Sequence, residues 1–217
     1  MEDALLPLFP LEVVLLPGTP MRLHIFEDRY KEMIGAAIRG KTEFGIVQAG
    51  DRGILNIGCT ATVDQVLHRY PDGRMDILIV GRRRFEIILL DDEKAYLRAS
   101  ISFFDDDEED PAPVELRAMV LAGLTALRAA EEKEQSDTPD HRDPRLSFKV
   151  AFFVPELPLR QTLLAIRSES GRLRQLSEFL PEYVARVKRT THVRKVAPRN
   201  GHGFLTIGTS NGQEPSA

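Results

Sequence analysis

The sequence predicts an α+β chain: a small β-core organised on one long, bent strand pair, followed by a small bundle of helices. Three observations predict it. Tyr70-Pro71-Asp72-Gly73-Arg74 is a tight-turn sequence leading into the apolar run Met75-Asp76-Ile77-Leu78-Ile79-Val80. Pro71 presets φ for the turn, and Gly73 takes the left-handed backbone that a bulged hairpin requires. Gly81 then separates that run from a second one, Phe85 to Leu90, as a glycine does at a bulge or a barrel corner. Beyond Asp105-Asp106-Asp107-Glu108-Glu109-Asp110, the apolar period changes from two to between three and four.

Taken in order, Leu5 to Leu11 opens the fold, and Val13-Val14-Leu15-Leu16 is expected as a short strand. Pro17-Gly18 is a turn. Met21, Leu23 and Ile25 then share one strand face, with Arg22 and His24 on the solvent side. Residues 28–39 read as a helix, because Tyr30, Met33, Ile34, Ala37 and Ile38 fall on one stripe. Asp28 is its expected N-cap and Gly40 lies just past its end. Short strands are expected near 43–48 and 54–57, then a longer one over 59–70. Leu97, Ala99, Ile101 and Phe103 alternate with polar residues in a closing strand over Ala95–Phe104.

The six acids repel one another, and Pro111 and Pro113 follow them, so they read as a domain boundary. They lack the glycine and the alternation of a calcium loop. Leu116, Met119, Val120, Gly123, Leu124 and Leu127 make a helical stripe. Residues 131–141 read as a polar link. Asp143-Pro144 reads as the cap and first residue of a helix carrying Leu146, Phe148 and Val150. Pro155 and Pro158 bracket a break. A short helix follows over about 160–166, and Ser168 or Ser170 caps a longer one through Leu173, Leu176 and Leu180, which Pro181 is expected to kink or restart. The expected division is 1–107 for the β-subdomain, 112–190 for the helical one and 196–217 for a disordered tail rich in Gly, Ser and Asn.

Charge and motifs exclude several classes. Formal net charge is −4, shared equally by residues 1–104 and the remainder, so neither half is a basic nucleic-acid domain. Cys59, the single cysteine, supports neither a disulfide nor a cysteine zinc site, and its apolar strand context makes it a buried, inert thiol. The five histidines are not at zinc-ligand spacing. No phosphate-binding loop, dinucleotide fingerprint or hydrolase serine elbow occurs, so no cofactor, metal or catalytic residue is expected. Glu2 and Asp3 stand where a signal peptide carries positive charge, and prolines 7, 10, 17 and 20 break the apolar N-terminus. A cytoplasmic protein without a membrane span is the expectation. Two basic features remain. Arg82-Arg83-Arg84 is either two solvated arginines around one structural pair, or a grip on acidic groups. Residues 186–199, with six basic residues and no acid, are either a frayed helix end or an RNA contact.

Leu8-Phe9-Pro10-Leu11, Val14, Pro17-Gly18, Leu23-His24-Ile25-Phe26-Glu27 and Arg29-Tyr30 resemble the N-terminal, substrate-recognition domain of the ATP-dependent protease Lon. Ile57-Gly58-Cys59-Thr60-Ala61 and Pro71-Asp72-Gly73 with Val80-Gly81 and Arg83-Arg84-Phe85 extend the resemblance. Gln161, Leu163-Leu164 and Arg172-Leu173 carry it into the helical half. It covers roughly residues 5–185. The resemblance implies a PUA-like β-barrel followed by a helical bundle, in a free-standing form without the ATPase and protease modules, so that no peptidase activity is expected. It also implies a non-catalytic module for unfolded or extended polypeptide, in protein quality control, with a separate protease as a further partner. The expected contacts are exposed apolar side chains at a barrel–bundle cleft rimmed by charge: Leu16, Phe26 and Arg82, Arg83 and Arg84, with Tyr30 nearby but expected in the core. An RNA-binding PUA-like protein and a small-molecule enzyme with its site in that cleft are the alternatives. A deep pocket of ionisable groups would favour the enzyme, and a shallow apolar groove the polypeptide module.

Overall fold

The computed structural model describes residues 5–50, 53–107, 112–132 and 138–196. The expected tail, 196–217, lies outside the described residues apart from the backbone of Val196. Six strands come first: β1 (Leu6–Leu11), β2 (Pro20–Ile25), β3 (Phe44–Gly50), β4 (Gly53–Arg69), β5 (Met75–Asp91) and β6 (Arg98–Phe103). Helix α1 (Asp28–Gly40) lies between β2 and β3. Four helices follow the strands: α2 (Val114–Glu131), α3 (Leu146–Ala151), α4 (Leu157–Ala165) and α5 (Glu169–Val196).

The long hairpin β4–β5 is the frame. Its turn is closed by Tyr70 N–H to Arg74 O and Gly73 N–H to Tyr70 O, with Gly73 at φ 85°. Asp72 accepts from the Arg74 N–H. β4 covers one edge of β5. The other edge is shared, with β2 over Met75–Val80 and β6 over Phe85–Asp91. Because β6 also pairs with β1, and β1 runs parallel to β3, the order β5-β4-β3-β1-β6 closes on itself. The expected barrel is therefore a ring of five strands with β2 appended outside it.

Leu8, Val47, Phe85 and Ala99 form one cluster, contributed by four ring strands. A second, larger cluster runs without interruption from Val14, Met33 and Ile77 to Leu124, Leu164 and Leu180 in the helices. Sheet and helices thus bury one common apolar surface. Cys59 sits in it, fully buried, and burial pushes its thiol up to about 12.

Several boundaries differ from the sequence reading. The strands expected over 54–57 and 59–70 are one strand, β4, which ends at Arg69 and absorbs register shifts by bulging. Val13–Leu16 is not a strand: it is buried irregular chain, held where Gly81 N–H meets Thr19 O and Gly18 N–H meets Gly81 O. Asp28 does not cap α1. Glu27 stands at the N-cap without a side-chain bond, its carboxylate paired with Arg29 at 2.7 Å. Gly40 stays inside the helix, and Lys41 takes the left-handed position with its N–H on Ala37 O. Helix α3 starts at Leu146, after the Asp143 carboxylate has accepted the Arg145 N–H. Ser168 caps α5, accepting from Gly171 N–H at 2.9 Å. α5 continues through Pro181 as one helix, packed along α2, where Gly123 lets Leu180 approach. No helix among the described residues is long and apolar enough to cross a membrane.

Candidate functional site

Arg82-Arg83-Arg84 lies within β5 where its pairing passes from β2 to β6. Their side chains have different fates. Arg84 is buried and donates to Leu164 O, Ile166 O and Asp106 at 3.3, 2.7 and 2.6 Å. Arg82 and Arg83 are exposed. Arg82 donates to Thr62 Oγ1, while Arg83 pairs with Glu43 and lies 3.7 Å over the Phe103 ring.

Beside Arg84 sits Arg172, from the first turn of α5 and 0% exposed. It donates to both carboxylate oxygens of Asp106 at 2.6 and 2.5 Å, to Glu169 at 2.8 Å, to Ser147 Oγ at 2.9 Å and to Ile166 O at 2.8 Å. Glu169 also accepts from Ser147 N–H and Oγ–H. The Phe148 ring lies 4.4 Å from the Arg172 guanidinium. These contacts lock α3, α5 and β5 to the segment after β6. The acidic run was expected not to pack. Asp106 overturns that, because Arg84 and Arg172 supply the counter-charge.

Burial raises the Asp106 carboxyl, and the hydrogen bonds and charges of Arg172 and Arg84 more than offset it, leaving it below the ordinary 3.8. A depressed folded-state pKa contributes stability above that ordinary value and loses it as pH falls through the lower folded one. Unfolding free energy of the parent chain is therefore expected to drop more steeply below about pH 4 than that of Asp106→Asn. Urea titrations across a pH series check this, and parallel curves would refute it.

A third buried arginine, Arg117, donates to Ala112 O, His141 O and Asp143 O and so pins the loop before α3. That loop carries Arg142 and Arg145. Together these elements enclose a cleft of about 590 Å³ between ring and helices. Arg82, Arg83, Arg84, Arg117, Arg142, Arg145 and Arg172 line it, with Asp105, Asp106 and Glu169 and the apolar Pro17, Pro144 and Phe148. In place of the expected apolar groove the cleft is thus a pocket dominated by arginine, and by the test set above it favours a small-molecule site there over a polypeptide groove.

The sequence candidates are only partly brought together. Arg82 to Arg84 line the cleft. Leu16 is 1% exposed and belongs to the core, so its side chain offers no contact surface. Phe26 is 59% exposed but does not line the cleft; it stacks on His24, whose Nδ1 lies 2.6 Å from Asp76. Tyr30 is buried against Phe9, as expected of core packing. Arg117, Arg142, Arg145 and Asp106 carried no functional signal in sequence. Gln161 and Arg172, part of the resemblance, are structural: Gln161 Nε2 donates to Ile57 O and ties α4 to β4. Exposed apolar side chains collect instead at the other end of β5, at Ile88, Leu89 and Leu90. Among the described residues no group of three or more His, Cys, Asp or Glu is placed to hold a metal.

Comparison with known proteins agrees with this architecture. A family profile described as the ATP-dependent protease La (LON) substrate-binding domain matches residues 5–182. Lon protease of Flavobacterium johnsoniae is 29% identical over 143 residues, covering 62% of this chain and 17% of that protein. Lon protease 1 of Hydrogenovibrio crunogenus is 26% identical over 183 residues, covering 76% of this chain and 22% of that protein. The chain thus spans less than a quarter of these relatives' length. A crystal structure of a Lon N-terminal domain protein from Xanthomonas campestris superposes with a TM-score of 0.64 at 24% identity, covering 81% of this chain and 98% of that one. The N-terminal domain of Mycobacterium avium complex Lon protease gives 0.61 at 18% identity, covering 82% and 98%. At such identities the two structures show the fold. With the profile covering most of the chain, this protein belongs to the LON substrate-binding domain family.

Proposed function

We propose that the chain is a non-catalytic module that binds unfolded or extended polypeptide in the cytoplasm, as part of protein quality control and alongside a separate protease. The observation that carries this reading is the run Ile88-Leu89-Leu90, with 63%, 69% and 46% of each residue exposed. A regular strand turns successive side chains to opposite faces. Here the β5–β6 register shifts between Ile87 and Leu89, and three large apolar side chains in a row stay in solvent. Leu55 of β4 and Phe103 of β6 are also exposed. Apolar surface of this kind is costly to leave uncovered and suits weak, broad recognition of unfolded chain. Phe26, Arg82 and Arg83 remain candidate contacts; Leu16 and Arg84 are buried and do not. A net charge of −4 gives no broad attraction for nucleic acid.

Ile88→Ser with Leu89→Ser is expected to weaken binding of an unfolded model protein by about 10-fold or more: full burial of one aliphatic side chain is worth about 1.5–3 kcal/mol, and a loss of about 1.4 kcal/mol from partial burial of the pair already gives that factor. Fluorescence anisotropy, with the same protein folded as control, reads it. Equal affinity for folded and unfolded forms, or an unchanged double variant, would remove the reading.

A further inference from the structure

We propose that the arginine-lined cleft is a binding site for a small phosphate-bearing anion, separate from the apolar Ile88–Leu90 surface at the end of β5. Arg83 is paired with Glu43, and the other six arginines there divide into two sets. Arg84, Arg117 and Arg172 are buried and committed to backbone carbonyls and to Asp106 and Glu169. Arg82, Arg142 and Arg145 line the same cleft and are exposed, and among the described residues none of their guanidinium groups forms an ion pair, although Asp143 acts on Arg145 by charge. Of the three lining carboxylates, Asp106 and Glu169 are consumed by the buried set. Only Asp105 is left to answer three arginines. A chain that is acidic as a whole thus gathers positive charge without ion-pair partners in one half-open cleft.

The shape of the cleft concentrates that charge. Its volume, about 590 Å³, is that of a small-molecule site, half-open to solvent and walled in part by Pro17 and Pro144. Two of the unpaired arginines are held on prepared backbone. Asp140 accepts from Arg142 N–H at 2.9 Å, Asp143 accepts from Arg145 N–H at 2.8 Å, and Arg117 grips the carbonyls of His141 and Asp143. Guanidinium forks match phosphate oxygens two at a time, and a doubly charged anion relieves the repulsion among like charges. The aromatic ring in the cleft, Phe148, is 2% exposed and covered by arginine, so it offers no face to a nucleobase. Recognition is therefore of the phosphate group and not of a nucleoside.

Isothermal titration calorimetry with inorganic pyrophosphate tests this on the full chain. The parent protein is expected to bind at sub-millimolar Kd. Arg142→Ala with Arg145→Ala, both on exposed side chains, is expected to weaken binding about 10-fold or more. Arg22→Ala, on the exposed face of β2 outside the cleft, is expected to leave it unchanged, as is the Ile88 and Leu89 double variant, which separates this site from the polypeptide surface. Adenosine diphosphate is expected to bind within about threefold of pyrophosphate. No heat of binding up to about 5 mM ligand, an unchanged Arg142/Arg145 variant, an equal loss in Arg22→Ala, or markedly tighter binding of the nucleotide would each overturn the proposal.

Discussion

Arg172→Met is expected to lower the unfolding free energy by about 3 kcal/mol, the cost of leaving buried Glu169 without its counter-ion and half-buried Asp106 with Arg84 alone. All five N–H groups of a guanidinium have partners here: Ser147, Ile166, Glu169 and both oxygens of Asp106. Burial disfavours the arginine's charge, and Asp106 and Glu169 more than offset that, placing its pKa above the ordinary arginine value. Methionine retains much of the volume but none of the donors. A loss of this size is a large share of the roughly 5–15 kcal/mol that holds a domain folded. Pairing the change with Asp106→Asn should cost less than the sum of the two, since they share one network. Urea unfolding curves read both. A loss below about 1 kcal/mol would show that Asp106 and Glu169 regain water, and the network would not be a structural hub.

Gly81→Ala is expected to cost about 3 kcal/mol, at the upper end for forcing atoms into a filled space. A Cβ at this position would stand 2.2 Å from the Leu16 carbonyl oxygen. The obstacle is backbone, and backbone that cannot step aside. Leu16 O accepts from Thr19 Oγ1–H, and Thr19 O and Gly18 N–H are both bonded to Gly81. Gly81 is not among the described glycines at positive φ, so the expected penalty is steric and not conformational. Gly50→Ala is the matched control: nothing lies within 4 Å of its Cβ position, and a change within about 0.5 kcal/mol is expected. Thermal melts of the two variants that shift equally would remove the argument.

Gly81 also shows how much was legible in the residues. An isolated glycine between two apolar runs reads as a bulge or barrel corner, and the β4–β5 register does shift beside it, between Cys59 and Ala61, where the Leu16 segment approaches the backbone. What approaches was not legible. Val13–Leu16 has strand composition, yet β5 gives its edge to β2 and β6, and the segment is left as buried irregular chain. Leu16 looked like a surface contact for the same reason: four apolar residues in a row do not say which of them face inward. The acidic run is the clearest case. By local rules six like charges repel and stay in water. Asp106 escapes this because its partners come from 22 and 66 residues away in the chain.

Local order therefore determined what depends on near neighbours: the turn at Gly73, the stripe of α1, a serine cap for α5 at 168 or 170 and the change of period that separates strands from helices. Each is settled by sterics or hydrogen bonding over a few residues. Tertiary structure alone decided the closure of the ring, the burial of Arg84 and Arg172, and the gathering of seven arginines in one cleft. Charge acts through space, and spacing along a chain carries no record of which distant segments the core will bring together.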